Sequence, residues 1–189
     1  MTPLKTVAIS IGDLNGIGFE IALQSHNVIS TWCTPLYCVD YEMAQQASHL
    51  LDHPLPENFF CLSVEAPFFT ITAGKITKES GAYSYASFRK AIECVQKGDA
   101  CALVTLPIHK KSWEQAKIPF KGHTDVLRAL YGDEGIMMLG CEEMFIALFT
   151  DHIPLKKVPK KIQTKPLISF LLTLHHAMPT SCIGVLGLN

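Results

Sequence analysis

Short apolar runs alternate along this chain with longer segments whose apolar residues recur every three or four positions. That alternation predicts an α/β layer fold around a largely parallel sheet. The runs are Thr6 to Ser10, Pro35 to Val39, Ala100 to Val104, Met144 to Phe149 and Ile183 to Leu186. Their nearly continuous apolar character suits strands covered by helices on both faces. Between them, Gly16 to Asn27, Glu42 to Leu51, Tyr83 to Gln96, Thr124 to Tyr131 and Ile162 to His175 carry the spacing of one buried helix face. Gly98-Asp99 is placed to close the third of these helices, and Pro154, Pro159 and Pro166 punctuate the chain after the fourth run.

Composition narrows the picture. A chain of 189 residues allows one large domain or two small ones, and 17% charged against 48% hydrophobic residues excludes a disordered polymer. Sixteen Lys and Arg against 17 Asp and Glu create no field for nucleic acid or an anionic membrane, so neither partner is expected. Seven cysteines with no C-x-x-C pair argue for reduced thiols and a cytoplasmic setting rather than a disulfide framework or zinc ribbon. No secretion signal is read at the N-terminus, and the stretch Pro166 to Leu174 is far shorter than the ~20 residues of a membrane span. The five lysines between 156 and 165 read as a solvated approach to a helix, with contact to an anion as the alternative. Ile183 to Leu186 reads as a buried strand entering a loop, which leads to the expectation that the chain is a fragment.

Candidate chemistry gathers where runs end. Ser10-Ile11-Gly12-Asp13-Leu14-Asn15-Gly16-Ile17-Gly18 joins the first strand to a helix, with glycines at 12, 16 and 18. This is not the G-x-G-x-x-G fingerprint, and it reads equally as a ligand loop or a tight turn. Lys110 follows the third run, the usual place for a site cation, although a lone lysine there is commonly plain surface. In Gly122-His123-Thr124-Asp125, Thr124 is placed to cap a helix, with His123 exposed at its entry. His152, in Thr150-Asp151-His152-Ile153-Pro154, appears where the fourth run leaves the sheet, but one histidine does not make a metal site. His175-His176 reads as complementing a helix C-terminus.

Taken in order, S-I-G-D-L-N-G-I-G-F-E, T-L-P-I-H-K, I-P-F-x-G-H-T-D, M-M-L-G, T-D-H-I-P-L and G-L-N resemble the 4-hydroxythreonine-4-phosphate dehydrogenase family of pyridoxal phosphate biosynthesis. The resemblance implies the three-layer α/β/α fold of isocitrate and isopropylmalate dehydrogenases, with two domains flanking a cleft. Here the first domain is expected at 1–118 and an incomplete second at 119–189. It implies a homodimer that uses NAD or NADP and a divalent metal (Zn, Mg or Co) to oxidise 4-phosphooxy-threonine, a small phosphorylated hydroxy amino acid. Decarboxylation to 3-amino-2-oxopropyl phosphate would follow. By the same resemblance His123 and Thr124 contact substrate and His152 ligates the metal; Lys110, at the end of its strand, is expected to be the catalytic cation that orients the substrate. No residue is assigned to the nicotinamide cofactor. The glycine loop departs from the family's G-D-P-A-G-I-G-P-E at Leu14, Asn15 and Phe19. The family's later P-H-A-G-E and Y-H-D-Q-G-like segments, which carry further metal histidines, are absent, so this chain alone is expected to be inactive. The alternatives are a related dehydrogenase of another phosphorylated hydroxy acid, or a non-catalytic fragment or partner subunit.

Overall fold

A computed structural model describes residues 4–132, 135–141, 143–151, 153–179 and 182–186. The chain divides into two compact units, 1–130 and 131–189.

The first unit is built on a four-stranded parallel sheet in the order β3-β2-β1-β4. Strands β1 (Thr6–Ser10), β2 (Thr34–Cys38) and β4 (Ala102–Thr105) are three of the predicted runs, each within two residues of expectation. The central strand β1 pairs residue for residue with β2, Thr6 opposite Thr34 through Ser10 opposite Cys38, and with β4 from Val7 opposite Ala102. Strand β3 (Phe60–Leu62) was not anticipated; three residues hold no readable period, and it is recognised only by its pairing with Leu36 to Cys38.

Helices α1 (Gly18–Ile29), α2 (Tyr41–Leu50) and α3 (Lys78–Lys97) bury the stripes that their periodicity marks. Phe19, Ala22 and Leu23 from α1, Met43, Ala44 and Ala47 from α2, and Tyr83, Ala91 and Cys94 from α3 join Ala8, Ile9, Tyr37 and Cys38 of the sheet in one core. Thr77 caps α3 by accepting a hydrogen bond from the Ser80 N–H, and Gly98, at φ +83°, ends it in the left-handed conformation that suits glycine. Two shorter helices complete the unit, α4 (Lys110–Gln115) and α5 (His123–Tyr131). The division falls at the end of α5 rather than at the expected 118 because Val126 of α5 is buried in a second core with Phe88, Ile92 and Trp113.

In the second unit the fourth run becomes β6 (Phe145–Leu148), paired antiparallel with β5 (Met137–Gly140), not a strand of the parallel sheet. A 3₁₀ turn at Leu155–Lys157 and helix α6 (Val158–Lys161) occupy the lysine-rich stretch before α7 (Thr164–Ala177). The predicted strand over Ile183 to Leu186 is not formed: those residues carry no ladder, and Val185 and Leu186 are exposed. Apolar sequence alone supplies no partner, and a strand exists only where another pairs with it.

Candidate functional site

Because the first sheet is parallel, the segments that leave β1, β2, β3 and β4 emerge at one edge, the carboxyl edge where α/β sheets place their ligands. The β1 segment is the glycine loop. Gly12 has φ +72°, and a Cβ there would lie 2.3 Å from the Pro107 carbonyl oxygen; at Gly18 it would lie 2.8 Å from that of Ile11. Only glycine fits both approaches, so these two residues are explained by the tight turn.

The three positions that depart from the family pattern are all buried and tie the loop down. The Asn15 side-chain amide donates to the Lys75 carbonyl at 2.9 Å and to the Thr77 hydroxyl at 3.3 Å, while its oxygen accepts from the Thr72 N–H at 2.8 Å. Phe19 packs against Phe59 with ring centroids 5.9 Å apart, and Leu14 belongs to the main core. Asp13, also buried, accepts from the Asn15 N–H at 2.9 Å on one carboxylate oxygen and from the Ser112 hydroxyl at 3.1 Å on the other. The glycine loop and α4 are thereby locked together.

Helix α4 is another element that sequence reasoning missed, being too short for a hydrophobic period to show. It carries Lys110 as its first residue, Ser112 against Asp13, and Trp113, which is wholly buried. The Trp113 indole N–H donates to the Ser84 hydroxyl at 2.8 Å. Gly81 makes the approach of α4 to α3 possible, since a Cβ there would lie 2.1 Å from the Ser112 carbonyl oxygen.

Lys110 is brought beside Gly122, the residue before His123: its Cε lies 3.8 Å from where a Cβ on Gly122 would stand. Lys110 is exposed. His123 is not the exposed side chain expected; it is half-buried, edge-on to Phe88 at 4.5 Å between centroids and to Trp113 at 5.7 Å. Its Nε2 is buried and has no partner among the described residues, and burial holds its pKa below the ordinary value for histidine. Thr124 is exposed but is not a cap, because α5 begins at His123 and places it inside the first turn. Asp125 does the local work instead, accepting from the Lys121 N–H at 3.0 Å. His152 lies outside the described residues. Among the described residues no three His, Cys, Asp or Glu side chains group as a metal site requires.

A second polar cluster at the same edge was not anticipated either. The Tyr83 hydroxyl donates to the Asp40 carboxylate at 2.7 Å and accepts from the Asp40 N–H at 2.9 Å, and the Ser63 hydroxyl donates to the other carboxylate oxygen. Burial is the main cause that pushes the Tyr83 pKa up, so the hydroxyl keeps its proton. Its only sequence signal was a polar residue directly after a buried strand.

The first unit is thus a parallel α/β sheet with a carboxylate-anchored glycine loop, a lysine and a histidine at its carboxyl edge. Residues 31–189 match the family described as pyridoxal phosphate biosynthetic protein PdxA, and the chain belongs to that family. It is 47% identical over 183 residues to a 4-hydroxythreonine-4-phosphate dehydrogenase of Sulfurimonas denitrificans, covering 97% of this chain and 59% of the relative. It is 45% identical over 186 residues to the protein of that name in Campylobacter fetus, covering 98% and 60%. The crystal structure of a 4-hydroxythreonine-4-phosphate dehydrogenase from Burkholderia phymatum shares the fold, with a TM-score of 0.83 at 22% identity over 93% of this chain and 58% of that one. The chain therefore spans about 60% of the length of the curated relatives it matches.

Proposed function

We propose that this chain supplies the substrate-orienting part of a dehydrogenase that oxidises 4-phosphooxy-threonine with NAD or NADP in pyridoxal phosphate biosynthesis. The observation that supports this reading is the placement of Lys110 beside Gly122, next to His123 in sequence, on a helix bonded to the Asp13 loop, in a chain 47% identical to a relative of that name. Lys110, a flexible point charge, suits an anionic group of the substrate, and His123 and Thr124 suit its polar groups. A nicotinamide cofactor would supply the acceptor for the hydride that leaves the hydroxyl-bearing carbon, with the hydroxyl proton released as the ketone forms. Loss of carbon dioxide would then yield 3-amino-2-oxopropyl phosphate. His152 is the residue this reading gives to a divalent ion, with its other ligands drawn from polypeptide that the chain does not contain. A homodimer and a cytoplasmic setting belong to the same reading; no described helix is long and apolar enough to cross a membrane.

The test joins this chain to the part of the Sulfurimonas relative that it does not match, and follows NADH or NADPH formation with 4-phosphooxy-threonine and a divalent metal. Other phosphorylated hydroxy acids are assayed alongside. Turnover is expected from the joined protein and none from the 189-residue chain alone. Lys110→Ala or His123→Ala should each lower kcat/KM on the order of 10²-fold, the usual cost of losing substrate orientation. NADH production by the isolated chain that His152→Ala abolishes would overturn the inactivity of the chain alone. Preference for another substrate would overturn the assignment of 4-phosphooxy-threonine.

A further inference from the structure

The placement of His123 raises a question that its assignment to substrate does not answer, namely which ring nitrogen a ligand meets. Nε2 is buried with no hydrogen-bond partner among the described residues, a state that Nδ1 does not share. The imidazole stands edge-on to two aromatic rings that are themselves fully buried, Phe88 of α3 and Trp113 of α4. Neither ring is free to move aside. Phe88 sits on the helix that crosses the sheet, and Trp113 is pinned by its bond to Ser84, whose own hydroxyl donates to the Gly81 carbonyl at 2.9 Å.

We propose that Phe88 and Trp113 are positioning residues that clamp His123 with Nε2–H against the aromatic wall, so that Nδ1, carrying a lone pair, is the atom offered to a substrate hydroxyl. The inference rests on the reading that His123 meets substrate, and adds the atom, its protonation and the residues that set them. A sealed nitrogen with no polar partner is least costly when it bears the proton, because an N–H can point at an aromatic face while a buried lone pair gains nothing there. With one proton on the neutral ring, Nδ1 must be the acceptor. Among the charged groups nearby, Lys110 of α4 has its chain beside Gly122, and Asp125, on the same helix as His123, is engaged with the Lys121 N–H. Neither shifts the titration of His123, which burial alone lowers, consistent with the aromatic wall being the dominant neighbour.

The experiment reads the ring directly and needs no activity. The 189-residue chain is labelled with ¹⁵N-histidine, the His123 signals are assigned by their loss in His123→Gln, and two-bond ¹⁵N–¹H spectra are recorded across neutral and mildly acidic pH. The expected result is protonated Nε2 and unprotonated Nδ1, with a titration midpoint below the ordinary value for histidine. Phe88→Leu and Trp113→Phe, which keep the site apolar but remove ring area, should each move that midpoint upward and mix the two tautomers. Ser84→Ala, which frees the indole, should do the same to a smaller extent, and circular dichroism of each variant establishes that it is folded. A dominant Nδ1–H form in the parent chain, or folded Phe88→Leu and Trp113→Phe variants whose His123 spectra match the parent, would overturn the clamp. A correct tautomer combined with a fully active His123→Ala in the joined enzyme would instead leave the clamp standing and sink the substrate role.

Discussion

The two units use similar apolar vocabulary and bury it very differently. In residues 1–130 the runs become a parallel sheet whose central strand reaches complete burial from Ala8, and α3 alone buries nine residues. In residues 131–189 the run Met144 to Phe149 yields an antiparallel pair in which Leu139, Phe145 and Ile146 are more than half exposed, and α7 buries only Leu174. An apolar run commits a segment to being covered, but only neighbouring strands and helices decide whether it is. The first unit contains its own neighbours, while the second displays apolar surface of the kind that marks an interaction site or a missing packing partner. The candidate residues at the carboxyl edge, Asp13, Lys110 and His123, all sit on the unit that has a core, where rigid elements can hold them.

The strongest way to break this contrast is a pair of matched glycine substitutions. Gly81→Ala drives a methyl group to 2.1 Å from the Ser112 carbonyl oxygen and must lever α4 away from α3; Gly140→Ala meets the Met144 carbonyl oxygen at 2.4 Å within its own hairpin. Overpacking of this kind costs about 3 kcal/mol where the surroundings cannot yield. Gly81→Ala should therefore lower the main thermal transition by several degrees. Gly140→Ala should leave that transition within the ~0.5 kcal/mol typical of sites outside a core. Equal shifts from the two substitutions would show that both units melt as one.

A smaller effect tests the polar half of the first unit. Tyr83→Phe keeps the ring but removes the hydroxyl that links the Asp40 carboxylate and N–H, leaving buried polar groups short of a partner. The expected loss is about 1–3 kcal/mol in urea unfolding. A neutral result would mean that water takes the hydroxyl's place and that the carboxyl edge is wetter than its burial indicates.

How much of this was legible in the chain depends on the length of the element. The runs at β1, β2 and β4 were readable because they are nearly continuous in apolar residues, and the stripes of α1, α2 and α3 because each helix spans ten residues or more and Gly98 supplies a stop to the last. Strand β3 and helix α4, at three and six residues, were not readable, because they are defined by what they pair with. The candidate site followed the same rule. Lys110 and His123 were legible from motif, but the place of Lys110 beside Gly122 depends on Gly81 and Ser112 fitting α4 against α3 and the Asp13 loop, long-range facts that no local pattern states. Thr124 misled for a local reason: a threonine before a helix is a good cap only if the helix starts after it, and here Asp125 reaching back to Lys121 lets the helix begin one residue early.

The smallest expected effect concerns His123 and sharpens the contrast at the site itself. Burial lowers its folded-state pKa from the ordinary 6.5, so the unfolded chain takes up a proton at this position at a higher pH than the folded chain does. Its contribution to stability is present in full above the unfolded value and is lost as pH falls from there through the folded one. In His123→Gln that proton uptake is gone. The drop in urea midpoint between pH 7 and about pH 5.5 should then be shallower in the variant than in the parent, whatever the absolute cost of the substitution at pH 7. Using the difference between two pH values cancels the packing loss against Phe88 and Trp113, which is common to both. If the two proteins lost stability in parallel over this range, His123 would be as well hydrated folded as unfolded, and neither a sealed Nε2 nor an aromatic clamp could be maintained.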